Sequence, residues 1–276
     1  MRLLFIRHGD PDYENDTLTE KGVREAEFLA DRLQGEKMDY IYLSPQGRAQ
    51  RTGEATLRRL GRTGETFAWL REFTTPVFLP QSGEKHLIWD FMPSFMDKYP
   101  QLYSASGWQD VPFIRDSGVP QAYRAVCEGI DGVLSEHGYV RRGSFYVVER
   151  PNRDTLVFFC HFGATAVILS HLFNQSPVAL LQHFAAAPTS VTTVYTEERE
   201  RGIASSAVHR TGTFLISTLQ GNPFPFRGDF ARPMTTWRKG TDFPFPFNPY
   251  EKGESCFRWA KNGKIVAFSL VKKLLF

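Results

Sequence analysis

Three short stretches of this chain carry residue types that could do chemistry together: Arg7-His8-Gly9, Ser44-Pro45-Gln46-Gly47-Arg48, and Cys160-His161-Phe162-Gly163. An unprotonated imidazole is a nucleophile. A guanidinium beside it can clamp phosphate oxygens bidentately. A glycine lets the backbone turn sharply and approach a ligand closely. Arg7-His8-Gly9 alone also fits a plain surface turn after any strand, so its weight depends on the elements that place it.

Those elements are legible. Leu3 to Ile6 is a short apolar run that suits a buried strand, leaving Arg7 and His8 at its carboxyl end. In open α/β sheets that end is where ligands bind. Thr19 can cap a helix whose apolar residues recur at Val23, Ala26, Leu29, Ala30 and Leu33, with Gly35 ending it. Tyr40 to Leu43 reads as a second strand. Ser44 then caps a second helix, with Pro45 in the first turn and Arg48 close behind. Val119 to Glu136 has helical spacing through Ala122, Val126, Ile130 and Val133. Ser144–Val148 and Leu156–Cys160 read as strands around an Asn152-Arg153-Asp154 turn. The second of these ends in His161 and leads into a helix from Ala164 to Phe173, repeating the opening logic. Thr189–Thr196 and Ile203–His209 are further strand candidates. Strand–helix alternation predicts an α/β fold with a mostly parallel central sheet and helices on both faces. Residues 66–118 break the pattern. They are rich in Pro and aromatic residues (Trp69, Trp89, Phe91, Phe95, Trp108, Phe113), have no clean period, and are read as an irregular insertion over the site.

Composition narrows the class. The chain has 276 residues, 42% of them apolar, which is ample for a globular core. No run of 18 apolar residues is present, and Arg7 and His8 interrupt the N-terminal apolar stretch. Neither a membrane span nor a signal peptide is therefore expected. Cys127, Cys160 and Cys256 have no metal or redox spacing, consistent with a cytoplasmic protein. The net charge is +3, but residues 212–276 hold ten Lys/Arg against four Asp/Glu. That segment carries +6 and the preceding residues −3, so the basic balance does not argue for a nucleic-acid surface on the folded body. Gly61-Arg62-Thr63-Gly64 lacks the spacing of a phosphate-binding loop and reads as a turn. His86, His137, His171, His183 and His209 read as packing or surface residues.

In combination, Arg7-His8-Gly9, Ser44-Pro45-x-x-Arg48-Ala49-x-x-Thr52 and the late His161-x-Gly163 resemble the histidine phosphatase superfamily, with its phosphoglycerate mutase-like three-layer sandwich, over residues 1–210. Leu18-Thr19-x-x-Gly22 is similar to the family's usual helix start. The resemblance implies that His8 attacks phosphorus and becomes a phosphohistidine, that Arg7, Arg48 and His161 hold the transferring oxygens, and that water then releases phosphate. Arg51 is not counted, because the family's phosphate-binding arginine precedes the alanine and is here Arg48. Fixed cations suit a transition state that spreads charge over phosphoryl oxygens. Glu72, in Trp69-Leu70-Arg71-Glu72-Phe73, sits where many family members place the acid that protonates the leaving oxygen, with Asp90 and Glu84 as rivals. No cofactor and no metal are implied. The partner implied is a small phosphorylated substrate, with neither nucleic acid nor membrane. A phosphoglycerate-type mutase and an inactive phospholigand-binding protein are the alternatives. Substrate identity and oligomeric state are not readable.

Residues 211–276 change character. Ten of the 24 phenylalanines fall in the last 65 residues, and Phe224-Pro225-Phe226 and Phe243-Pro244-Phe245-Pro246-Phe247 fit neither strand nor helix. The family resemblance implies a run similar to Gly-Asp-Ile-Ser-His-Leu-Tyr in this region, which the chain lacks. A shifted reading frame over Thr211 to Thr218 permits that run, and the Phe247–Asn248 junction then permits a stop. The segment is expected to be a frameshift product, poorly ordered apart from apolar stretches such as Ile265 to Leu270, or else a divergent extension.

Overall fold

The computed structural model describes residues 1–212. The expectations for the tail, including the shifted frame and the poor order, lie outside the described residues. Thr211 and Gly212 are the exceptions, and they complete the last strand.

Eight strands form one twisted sheet: β1 (Arg2–Arg7), β2 (Tyr40–Leu43), β3 (Glu65–Thr66), β4 (Tyr139–Arg142), β5 (Phe145–Val148), β6 (Thr155–Cys160), β7 (Val191–Glu200) and β8 (Ile203–Gly212). Their spatial order is β3-β2-β6-β1-β7-β8-β5-β4. The first four strands in that order are mutually parallel. From β1 onward the pairs are antiparallel. The expected parallel sheet is thus the half that carries the site, and two hairpins, β7–β8 and β4–β5, complete the other half.

The layers follow from strand alternation. In β1, Leu3 and Phe5 point to one face and Leu4 and Ile6 to the other. In β6, Leu156, Phe158 and Cys160 join the first face and Val157 and Phe159 the second. Every residue of β6 is buried, as a central parallel strand covered on both faces requires. On one side lie α1 (Glu20–Leu33) and α2 (Gly47–Leu60), which contribute Leu29, Leu33, Leu57 and Leu60. On the other lie α3 (Val119–Glu136), α4 (Phe162–Phe173) and α5 (Pro177–His183), contributing Ile130, Val133, Ala166, Leu169 and Leu181.

Several boundaries differ from the sequence reading, each for a local reason. Helix α2 begins at Gly47, and Gln46 rather than Ser44 is its capping residue, with no side-chain cap bond. The Ser44 hydroxyl is engaged elsewhere. Strand β4 and helix α5 were not anticipated. Strand β4 pairs with β5 through a tight turn in which Gly143 takes φ +60°, a conformation open to glycine. Helix α5 carried a readable start signal: Ser176 accepts a bond from Ala179 N at 3.3 Å and Pro177 occupies the first turn. Thr19 caps α1 as expected, accepting Gly22 N at 3.0 Å. Gly61 ends α2 in the left-handed conformation, so the Gly61–Gly64 stretch is a turn.

Residues 66–118 are irregular, built from short 3-10 turns, a small hairpin (Pro76–Phe78 with Lys85–Leu87) and single-turn helices. They are more than a cover. Leu70, Phe73, Val77, Ile88, Phe91, Met96, Leu102, Trp108, Val111 and Ile114 are all buried in the main core. A segment with no period can still supply core when each short turn contributes one large side chain.

Candidate active site

Strand register explains why the chemistry-bearing residues meet. Arg7 of β1 lies opposite Cys160 of β6, and Phe159 of β6 lies opposite Leu43 of β2. His8 and His161 therefore leave β1 and β6 at one level, and Ser44 leaves β2 one residue earlier. Backbone bonds hold two of these exits, His8 N to Cys160 O (3.1 Å) and Ser44 N to Phe159 O (2.9 Å).

His8 is 1% exposed. Its Nδ1 is 2.7 Å from Gly9 O, so Nδ1 carries the proton and Nε2 keeps its lone pair. Arg48 Nε donates to that Nε2 at 3.4 Å. Burial, followed by the nearby Arg7 and Arg48 charges, brings the His8 imidazole down to about 4, although its bond to Gly9 O works in the other direction. His161 is fully buried, and its Nε2 lies 2.7 Å from Ser44 Oγ. Ser44 Oγ accepts Gln46 N at 3.2 Å, so its own proton is available to His161 Nε2. In that tautomer Nδ1–H of His161 faces inward, buried and without an acceptor among the described residues. Burial, then His8 and the arginines, hold His161 at about 2. The rings of His8 and His161 are 5.1 Å apart.

The two guanidiniums are set by different means. Arg48, 6% exposed, is anchored through Nη1 to Asp16 Oδ1 at 2.5 Å. Asp16 Oδ2 accepts Gly47 N at 2.8 Å. A side chain at Gly47 would fall 2.1 Å from the Asp16 carbonyl, so glycine is what lets this loop press against the start of α2. Arg7 donates through Nη1 to Ala186 O at 2.5 Å, while its buried Nε has no acceptor among the described residues. Arg51 is exposed and pairs with Glu54 instead.

Glu72 completes the cluster. Its Oε1 accepts Phe73 N at 2.9 Å and Ala164 N at 3.2 Å, the latter from the first turn of α4. Gln46 Oε1 accepts Glu72 N at 2.6 Å and fixes the backbone. Burial raises the carboxyl pKa; the bonds from Phe73 and Ala164 N–H and the Arg7 charge oppose this without cancelling it. A Cβ at Gly163 would sit 2.6 Å from Glu72 Oε1, so glycine there permits the approach. The two rivals are surface residues. Asp90 and Glu84 are exposed, and Glu84 bonds Ser82. Sequence reasoning missed Asp16 and Gln46 and misassigned Ser44. The first two have no signal in a single sequence, because their roles depend on how a loop folds back.

One donor cluster appears that no sequence spacing suggested: His8, Glu72 and His161 each bring a ligand atom within 4.8 Å of the others. Two imidazoles and a carboxylate are donors a transition metal accepts. The same pocket holds the Arg7 and Arg48 cations, which favour an anion there.

The neutral burial of both histidines has a measurable consequence. Between pH 7 and 5 the unfolded chain takes up protons on these groups and the folded chain does not, so stability falls as pH falls. Linkage puts the loss at about 2 kcal/mol per histidine over that window. Glu72, with its raised pKa, acts in the opposite direction and offsets part of it. The unfolding free energy from urea titration is expected to be lower at pH 5 than at pH 7. Equal stability at the two values would contradict neutral burial.

Beyond the carboxyl ends of adjacent parallel strands, this covered α/β sheet gathers an imidazole, a second histidine and two guanidiniums, a set of groups suited to an anion. Residues 3–80, which include His8, Arg48 and Glu72, match the family model described as Histidine phosphatase superfamily (branch 1). The resemblance of the chain to that superfamily is carried by this match and by the fold. Similar solved structures include phosphoserine phosphatase from Entamoeba histolytica in complex with 3-phosphoglyceric acid (TM-score 0.50, 17% identity, covering 77% of this chain and 97% of that one). Mycobacterial glucosyl-3-phosphoglycerate phosphatase is a second (TM-score 0.50, 16% identity, 75% and 96%). At such identities the likeness is one of fold. No curated protein sequence matches the chain. Among the described residues no helix is long and apolar enough to cross a membrane.

Proposed function

We propose that the chain is a phosphomonoester phosphatase that works through a phosphohistidine on His8. The observation that carries this reading is the set of buried, unsatisfied donors around a buried neutral imidazole: Arg7 Nε and His161 Nδ1 have no acceptor among the described residues, and Arg48 Nε points at His8 Nε2. Buried donors are nearly always paired. The oxygens of a phosphoryl group would pair these and bring phosphorus onto the Nε2 lone pair.

In the first step His8 Nε2 forms a bond to phosphorus as the bond to the ester oxygen breaks. Glu72 gives its proton to that oxygen, and the alcohol leaves. In the second step a water attacks phosphorus, its proton goes to the Glu72 carboxylate, and the N–P bond breaks to release inorganic phosphate. Arg7, Arg48 and His161 hold the charge that spreads over the oxygens in both steps. Asp16 and Ser44 act through Arg48 and His161 and are positioning residues. The acid role of Glu72 is supported by its raised pKa and its place beside His8. A small phosphorylated substrate follows, in line with the phosphoserine and glucosyl-3-phosphoglycerate phosphatases that share the fold. No step calls for a metal or a cofactor. A reducing, cytoplasmic setting fits the free, buried Cys127 and Cys160.

Phosphate release from p-nitrophenyl phosphate tests the reading. Activity is expected to persist in excess chelator and to be suppressed by vanadate. Activity that disappears with chelator and returns with added metal would instead assign the His8–Glu72–His161 cluster to a metal ion. Interconversion of phosphoglycerates without phosphate release would favour a mutase.

A further inference from the structure

The ester's alcohol portion must lie next to Glu72, on the open side of the phosphoryl-binding cluster, and the surface there is aromatic. A Cβ built at Gly163 would lie 2.6 Å from Glu72 Oε1 and 2.7 Å from Trp89 Cζ3, so the edge of the indole ring adjoins the acid. Phe162 follows His161 directly in the chain. Its ring meets Trp89 edge-on, with centroids 6.0 Å apart at 67°. On its other side it stacks on Phe184, 6.2 Å away and within 9° of parallel. Two residues beyond Phe184, Ala186 O receives the Arg7 guanidinium. The three rings therefore form one contiguous row that begins beside the acid. Each is only partly buried and packs against the main core.

A partly exposed aromatic wall beside charged groups suits a ligand with one apolar end. Ring faces and edges recognise another ring through offset or edge-to-face contacts. Ring carbons offer no hydrogen-bond partner to the carboxylate of an amino acid or the hydroxyls of a polyol, so desolvating those groups here is costly. The other candidates carry less. The Tyr42–His137–Asp154 contacts and the Asp131–His171–Tyr146 group are satisfied hydrogen-bond networks. The shallow cavity by Asn174 and Ser205 has no charged side chain in its lining.

We propose that Trp89, Phe162 and Phe184 form the subsite for the alcohol portion of the substrate, and that the enzyme takes phosphomonoesters whose alcohol carries an aromatic ring. The proposal rests on the phosphatase reading and names the substrate class for that same site.

The test uses the full chain and ligands whose ester oxygens have similar basicity, so that leaving-group chemistry does not mimic recognition. Binding of 2-phenylethylphosphonate and n-butylphosphonate, which cannot be hydrolysed, is measured by calorimetry. Phosphate release from 2-phenylethyl phosphate and n-butyl phosphate is measured in parallel. The phenyl ligand is expected to bind about tenfold more tightly, or better. The ratio is expected to fall to within about threefold in Phe184→Ala. Trp89→Leu is the second variant, in case loss of the Phe184 ring loosens the loop. Equal affinity of the wild type for the two phosphonates overturns the proposal, as does a preference that survives in both variants. Equal phosphonate binding with phosphate release from both esters removes the aromatic subsite and leaves the phosphatase standing. A phenyl preference with no release from either ester removes the phosphatase and leaves the subsite.

Discussion

His8→Asn is expected to lower kcat/KM for phosphate release by about 10⁴-fold or more, the scale on which loss of a covalent nucleophile falls. Asparagine is the informative substitution. Its side-chain amide can still donate to the Gly9 carbonyl, which His8 Nδ1 contacts at 2.7 Å in the wild type. The buried shape is roughly kept and only the attacking lone pair is lost. The remaining cluster of Arg7, Arg48 and His161 should still bind the phosphoryl group, so phosphonate affinity is expected to change far less than turnover. Wild-type protein quenched during turnover of a ³²P-labelled substrate should carry acid-labile, base-stable label, and the variant none. Retention of activity within tenfold in a variant with a native circular dichroism spectrum would remove His8 from the chemistry.

Glu72→Gln is expected to divide substrates by leaving group. Glutamine keeps an oxygen to accept Phe73 N and Ala164 N, the two bonds that hold Glu72 in place. It cannot deliver a proton. Turnover of an alkyl phosphate, whose alkoxide needs that proton, should fall by about 10²- to 10⁴-fold. Turnover of p-nitrophenyl phosphate, whose phenolate leaves unaided, should fall much less. The wild-type profile for the alkyl ester should decline as pH rises through the raised Glu72 pKa, since only the protonated acid serves the first step. The variant should lose that alkaline limb. Equal losses for both substrates would make Glu72 a structural residue that holds the start of α4.

Both variants depend on geometry for which the sequence supplied the parts and the fold supplied the assembly. The apolar runs of β1, β2 and β6 and the helical spacing of α1, α3 and α4 were readable, because local periodicity reflects which face is buried. Placing His8 and His161 at strand ends was readable for the same reason, and so was Arg48 in the first turn after β2. The antiparallel half of the sheet was only partly readable. Strand β4 is short, and a four-residue run beside a glycine turn carries little pattern. Residues 66–118 could be recognised as aperiodic, yet their ten buried side chains could not be counted as core. Burial there comes from packing against α3 and α5 rather than from any repeat.

What the sequence determined by itself was the identity of the candidate reacting groups and the strands that end in them. Side-chain type sets which atom can attack, donate or hold charge, and the length of each apolar run sets where its strand stops. What only the tertiary structure decided was the electrostatic state of those groups. His8 and His161 are neutral because helices and the irregular segment bury them, and because two arginines held by Asp16 and by the Ala186 carbonyl sit beside them. Glu72 has a raised pKa because it is buried beside Gly163 and Trp89, and the N–H groups at the start of α4 offset only part of that burial. Burial and charge proximity are sums over residues distant in the chain, and no local pattern encodes such a sum.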